Sequence, residues 1–247
     1  MFNLETLAIV SVTFILAGGV KGIIGLGLPS VSLALLAATL GLKEAMAVML
    51  FPAIASNIWQ GLTGGNLLVI LKRFWTLLAG ACLGVWLGTG ILVDADAALL
   101  KALLGALLML YSAISLTGWK MPPLSDKERW ASPLIGWVGG VLMGMTGSYA
   151  VPGALYLQAL GMGRGMLVQA MGVTFTTVAI AFAVALGGFE LLSFDLAALS
   201  AFALIPTAVG MLLGVTVRRR LSETLFTKAF FSGLAVIGAY IILRSFI

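Results

Sequence analysis

The chain has 247 residues, of which 61% are hydrophobic and only 9% charged. A soluble domain carries roughly 25% charged residues, so this stock cannot cover a water-facing surface, and the sequence reads as an all-α polytopic membrane protein. With no histidine and one cysteine, Cys82, it excludes a Ser-His pair, a histidine-ligated zinc, a haem histidine, thiolate clusters and any intrachain disulfide. No cofactor or metal is implied. The net charge of +5 calls for no nucleic-acid partner, because basic cytoplasmic loops account for it.

The start, Met1-Phe2-Asn3-Leu4-Glu5, lacks the basic region of a cleaved signal peptide, so the first apolar segment is expected to be kept as structure. Apolar segments run over residues 4–24, 30–40, 45–62, 74–93, 97–117, 130–146, 153–160, 166–186, 194–217 and 224–243. A spanning helix needs about 20 apolar residues. The second and seventh segments are much too short, and each follows a break. The first break is Lys21-Gly22-Ile23-Ile24-Gly25-Leu26-Gly27-Leu28-Pro29; the second is Gly144-Met145-Thr146-Gly147-Ser148-Tyr149-Ala150-Val151-Pro152.

The markedly polar connection 119–129, with Pro122-Pro123 and Asp126-Lys127-Glu128-Arg129, divides the chain into two repeats of five segments. The expected organisation is a first repeat at 1–118, a cytoplasmic linker at 119–129 and a second repeat at 130–247. Pro29 to Ala47 and Pro152 to Ala170 are equally spaced, and Gly84 and Gly88 answer Gly210 and Gly214. Charge sets the relation between the repeats. Lys72 and Arg73 precede the fourth segment, whereas Glu190 and Asp195 precede the ninth. Asp94 and Asp96 follow the fourth, whereas Arg218 to Arg220 follow the ninth. Equivalent loops of opposite charge face opposite sides, which is the mark of an inverted repeat.

By this count the cytoplasm receives Lys72, Arg73, Lys120, Lys127, Arg129, Arg164 and Arg218 to Arg220. The outer side receives Glu5, Glu44, Asp94, Asp96, Glu190 and Asp195, with Lys43, Lys101 and Arg244 as exceptions and both termini external. Each break then tips a hairpin. A short arm of about 11 residues rises only roughly 16 Å, which puts the tips inside the bilayer; hairpins that span fully would move them to the surfaces.

Pro29 and Pro152 suit the first turn of the short helices, where a missing N–H costs nothing. Each tip would aim unpaired N–H groups and a positive dipole end into the membrane, and two opposed ends would form one anion site near the midplane. The glycines Gly25, Gly27 and Gly147 let the backbone approach a ligand. Lys21 adds a full charge where charge is costly. Every acid falls in or beside a loop, so a transported anion is its expected counter-charge. Ser30, Ser148 and Tyr149 join the site by position. Ser56, Asn57 and Gln60 in the third segment, and Thr174, Thr176 and Thr177 in the eighth, are weaker candidates that equally suit interhelical hydrogen bonding.

The glycine-proline breaks, with Gly18-Gly19, Gly41 and Ala45–Ala47 around the first and Gly139-Gly140 and Ala170-Met171-Gly172-Val173-Thr174 around the second, resemble the sulfite exporter TauE/SafE family, also called the toluene sulfonate uptake permease family. The resemblance covers nearly the whole chain. It implies a bacterial inner-membrane carrier of sulfite, sulfoacetate, sulfonates or other small organic anions, with its site at Gly25, Gly27, Pro29, Gly147 and Pro152. Leu26, Leu28 and Ser148 to Val151 stand where that family has a denser glycine run, which bears on substrate choice.

The expected function is therefore alternating-access transport of a small anion, not an enzyme, with the lipid bilayer as surroundings. An anion channel using the same groups is the alternative, and an intramembrane Ser-Lys enzyme a more distant one. Proton coupling stays open, with Lys21, Tyr149 and Tyr156 as the titratable groups near enough to consider. A homodimer stays open too, since Gly80, Gly84 and Gly88 suit either internal packing or a dimer face.

Overall fold

The computed structural model describes residues 3–119, 121–122, 127–218, 220 and 222–246. The readings placed on Lys120, Pro123, Asp126 and Arg219 lie outside the described residues. Those described form helices and no strand: α1 (Leu4–Ile24), α2 (Leu28–Thr39), α3 (Leu42–Val48), α4 (Leu50–Leu62), α5 (Leu67–Asp94), α6 (Ala97–Thr117), α7 (Glu128–Thr146), a π-helical turn (Ala150–Ala154), α8 (Leu155–Ala159), α9 (Arg164–Gly188), α10 (Phe194–Phe202), α11 (Leu204–Arg218) and α12 (Glu223–Ser245). α1, α5, α6, α9, the α10–α11 pair and α12 are long and apolar enough to cross a membrane, and α3 with α4 adds a seventh span if that bent pair counts as one. The protein is a multi-pass membrane protein.

Two segments that read as continuous are interrupted, and proline explains both. A proline removes its own N–H bond and crowds the carbonyl four residues earlier. For Pro52 that carbonyl belongs to Val48, and for Pro206 to Phe202; these are the last residues of α3 and α10. α1 and α6 start with ordinary side-chain caps. Asn3 accepts from the Thr6 amide at 2.8 Å, and Asp96 from the Ala98 and Leu99 amides at 2.7 and 3.1 Å.

The chain forms two compact units: Met1–Pro52, Asp96–Gly118 and Leu192–Ile247 make the first, and Ala53–Ala95 with Trp119–Leu191 the second.

In the first unit α1 lies along α11, α6 along α12, and α2 packs on α1, α3 and α12. Glycine faces make the α1–α11 contact close: a β-carbon at Gly22 would sit 2.5 Å from the Met211 carbonyl oxygen, and one at Gly214 would strike the Gly19 carbonyl. Gly105 and Gly238 meet likewise between α6 and α12. The Phe51 amide donates to Ser200 Oγ at 3.0 Å, joining the end of this unit's first stretch to α10.

In the second unit α7 lies along α5, which also packs on α9. Gly80, Gly84 and Gly88 on α5 face the backbone of Pro133, Trp137 and Val141, and Gly136, Gly140 and Gly144 on α7 face Leu77, Ala81 and Val85 in return. The α5 stripe, suited from sequence to internal packing or a dimer face, is filled by α7. Without a hydrophobic driving force between helices in lipid, such close backbone approach is a main source of their association.

Candidate functional site

The first break belongs to the first unit. α1 ends where Gly25 turns left-handed (φ 80°, ψ 0°), its amide donating to the Lys21 carbonyl at 2.8 Å. Gly27 follows at φ 96° and caps α2, with Pro29 in the first turn as expected. A β-carbon at Gly25 would meet nothing within 4 Å, so the tip has open space beside it. Gly27 is closed in by Val20 and by Phe230 of α12.

The Val31 amide makes the first bond of α2, to the Gly27 carbonyl at 2.9 Å, and no side chain caps the helix. The Leu28 and Ser30 N–H groups therefore have no intrahelical acceptor, and both residues are buried. Lys21, in the last turn of α1, is only 5% exposed. It already makes a polar or electrostatic interaction within the fold. From sequence a transported anion is its expected counter-charge, with lipid headgroups or backbone carbonyls as the alternative, and an interaction within the fold leaves both readings open.

The second break belongs to the second unit and begins the same way. Gly147 turns left-handed (φ 75°, ψ 0°) and its amide donates to the Met143 carbonyl at 2.7 Å. The continuation differs. Tyr149 is at φ −103°, the Val151–Pro152 peptide is cis, and Pro152 lies inside the π-helical turn rather than in the first turn of α8. α8 is five residues long, against twelve in α2. Expecting matched short helices at the two breaks overstated their likeness.

What the second break has instead is buried hydroxyls. Ser148 is buried, its amide donating to Thr146 Oγ1 at 3.3 Å. Tyr149 is 6% exposed, its ring seated against Gly139 and Gly153 and edge-on to Phe175 with centroids 6.0 Å apart. Tyr149 Oη and Thr174 Oγ1 are both fully enclosed and hydrogen-bond to nothing among the described residues. A buried polar group left unmade costs about 1–3 kcal/mol, so both hydroxyls call for an acceptor or donor that the resting fold does not supply.

The other candidates divide. Thr176 and Thr177 donate back to the Gly172 and Val173 carbonyls at 2.7 and 3.0 Å, which spends them on their own helix. Gln60 donates to the Val168 carbonyl at 2.8 Å and so joins α4 to α9. Ser56 donates to the Ala53 carbonyl at 3.3 Å, and Asn57 is 1% exposed and engaged within the fold. Sequence reasoning missed Gln169, which is fully buried, donates to the Gly61 carbonyl at 3.0 Å and accepts from the Asn66 amide at 2.9 Å. An amide three residues into an apolar segment was the available signal.

Taken separately, the first break offers a cation and main-chain donors, and the second neutral hydroxyls. Donors of both kinds suit an oxyanion. Compared with known proteins, residues 10–241 match the family model described as Sulfite exporter TauE/SafE. No curated protein and no solved structure matches the chain.

Proposed function

Because the chain belongs to the sulfite exporter TauE/SafE family, a family of membrane transporters, we propose that it carries a small sulfur oxyanion across the bacterial inner membrane by alternating access. Sulfite, sulfoacetate or another organosulfonate is the substrate. Lys21, Gly25, Gly27, Pro29 and Ser30 at the first break contact the anion during its passage, as do Asn57, Gly147, Ser148, Tyr149, Pro152 and Thr174 in the second unit. The observation that carries this reading is the pair of enclosed hydroxyls, Tyr149 Oη and Thr174 Oγ1, with no partner among the described residues. A substrate that visits and leaves satisfies such groups only while bound, which suits a carrier.

Two inverted repeats, 1–118 and 130–247, with both termini external, belong to the same proposal. Their support is the way the arms pair: α1 lies along α11 and α7 along α5. The first arm of each hairpin packs on the fourth segment of the other repeat, with glycines on both helices at the contact.

The test is a panel of sulfite, sulfoacetate and aryl and alkyl sulfonates in proteoliposomes, with and without an imposed pH gradient. Saturable flux of one of them, lost in Lys21→Ala and reduced in Tyr149→Phe, is expected; a pH gradient that drives uphill flux establishes proton coupling. Ohmic currents in voltage-clamped bilayers, far above carrier turnover, would replace the carrier by a channel. Unchanged flux in both variants would remove the two breaks from the substrate's route.

A further inference from the structure

Lys101 and Arg244 are two of the three cations that escape the segregation of charge between the faces. Within the first unit the fold brings both to one cavity of about 280 Å³, lined by Ala37 and Ala38 of α2, Lys101 of α6, and Tyr240, Ile241 and Arg244 of α12. Lys101 lies in the second turn of α6 and Arg244 in the last turn of α12. The cavity thus sits where two spanning helices end, at the level of a membrane boundary. Among the described residues no carboxylate lines it, and neither cation has an acid within ion-pair reach. Arg244 is held in place, its Nε donating to the Tyr240 hydroxyl at 3.2 Å and its guanidinium 5.8 Å from that ring's centroid. Among the described residues its two terminal nitrogens have no acceptor.

We propose that this cavity binds a tetrahedral oxyanion group of the phosphate class, presented by a phospholipid headgroup or by a free ion. Two like charges on one cavity repel, and an anion between them removes the repulsion. The guanidinium can grip two oxygens at once while the lysine acts as a point charge. At roughly 30 Å³ per water, the space holds such a group with part of its hydration, and the alanine and isoleucine walls accept apolar neighbours. Basic pockets between membrane helices hold anionic headgroups by this logic. The cavity lies toward the opposite end of α2 from Gly27, roughly 15 Å along the axis, and does not depend on the transport reading.

Two measurements on the full chain test it. Native mass spectrometry after release from nanodiscs of mixed phosphatidylglycerol and phosphatidylcholine counts retained anionic lipid. A thermal-shift titration of lipid-free protein in detergent compares inorganic phosphate with chloride at matched ionic strength. The Lys101→Gln/Arg244→Gln double variant is expected to lose roughly tenfold to thirtyfold in one of them. Loss in the first names the headgroup as the source, and loss in the second the free ion. Lys228→Gln, an exposed cation also on α12, keeps wild-type behaviour in both. Lys101→Arg/Arg244→Lys retains part of the binding and shows that the fold survives changes at both positions. Wild-type protein that holds neither phosphatidylglycerol nor phosphate overturns the proposal. So does a double glutamine variant that matches wild type in both arms, whatever its stability, because the two cations would then bind no oxyanion in the cavity.

Discussion

At Gly25 and at Gly147 the chain does the same thing: a glycine turns left-handed and its amide bonds back to the helix just ended. Two residues later the breaks part. Gly27 supplies a second left-handed residue, so the chain reverses at once and α2 starts three residues after Gly25. Tyr149 bears a β-carbon and stays at negative φ, so the chain needs a π-helical turn, and α8 starts only eight residues after Gly147. The longer route has room for a buried ring and hydroxyl; the shorter one presents main-chain groups, the small Ser30 side chain and a lysine beneath them. A lost glycine here exchanges backbone donors for side-chain ones, so the two breaks should answer differently to mutation.

The largest expected effect is at the charged break. Truncating one partner of a buried charge contact costs about 2–5 kcal/mol, so Lys21→Ala should cut flux in proteoliposomes by at least about 30-fold with normal expression. Flux near wild type would leave the first break a structural turn. The arms beneath the tips should instead respond alike. Gly22→Val and Gly144→Val would each drive a β-carbon to 2.5 Å from a backbone carbonyl oxygen, of Met211 and of Val85. Both should lose roughly 3 kcal/mol or fail to fold, seen as a lowered melting temperature or aggregation on size exclusion. Gly233→Ala is the control, since a β-carbon there meets nothing within 4 Å. It should gain about 0.5–1 kcal/mol of helix stability.

At the neutral break the sharper signature is a split. Tyr149→Phe removes a buried hydroxyl with no partner among the described residues, so stability should hold or rise by about 1 kcal/mol while flux falls. Thr174→Val should behave the same way with a smaller loss. Falls in stability and flux together would make both hydroxyls ordinary packing. Gly25→Ala should cost only what the left-handed backbone imposes, about 1–2 kcal/mol of stability, because the space beside it is open.

The breaks were legible in the sequence because glycine and proline act locally. Gly25, Gly27, Pro29 and Gly147 stand in the conformations their residue types suggest. Pro152 does not, because the rule for a first-turn proline assumes a tight reversal, and Tyr149, Ala150 and Val151 do not make one. The interruptions before Pro52 and Pro206 followed from the same chemistry but were masked by unbroken apolar runs. Long-range packing was legible only in outline. The spacing of Gly84 and Gly88 with Gly210 and Gly214 marked two close-packing faces, but not that α7 and α1 fill them. That choice depends on which backbones can approach, which a linear pattern does not encode. The Gln60 and Gln169 links between α4 and α9 were hidden similarly, since an amide in an apolar run reads alike whether it meets substrate or a neighbouring carbonyl.

The glycine faces also set a timetable for biosynthesis. α5 and α7 leave the ribosome close together, with only α6 and a linker between them, so the second unit's main seam can close early. α1 must wait for α11, about 180 residues later; at roughly 5–20 residues per second this is on the order of ten to forty seconds. Throughout that interval α1 holds Gly18 and Gly22, carved for a partner not yet made, open to lipid or to an insertion chaperone. The α1–α2 hairpin is thus inserted long before the helix that completes its packing.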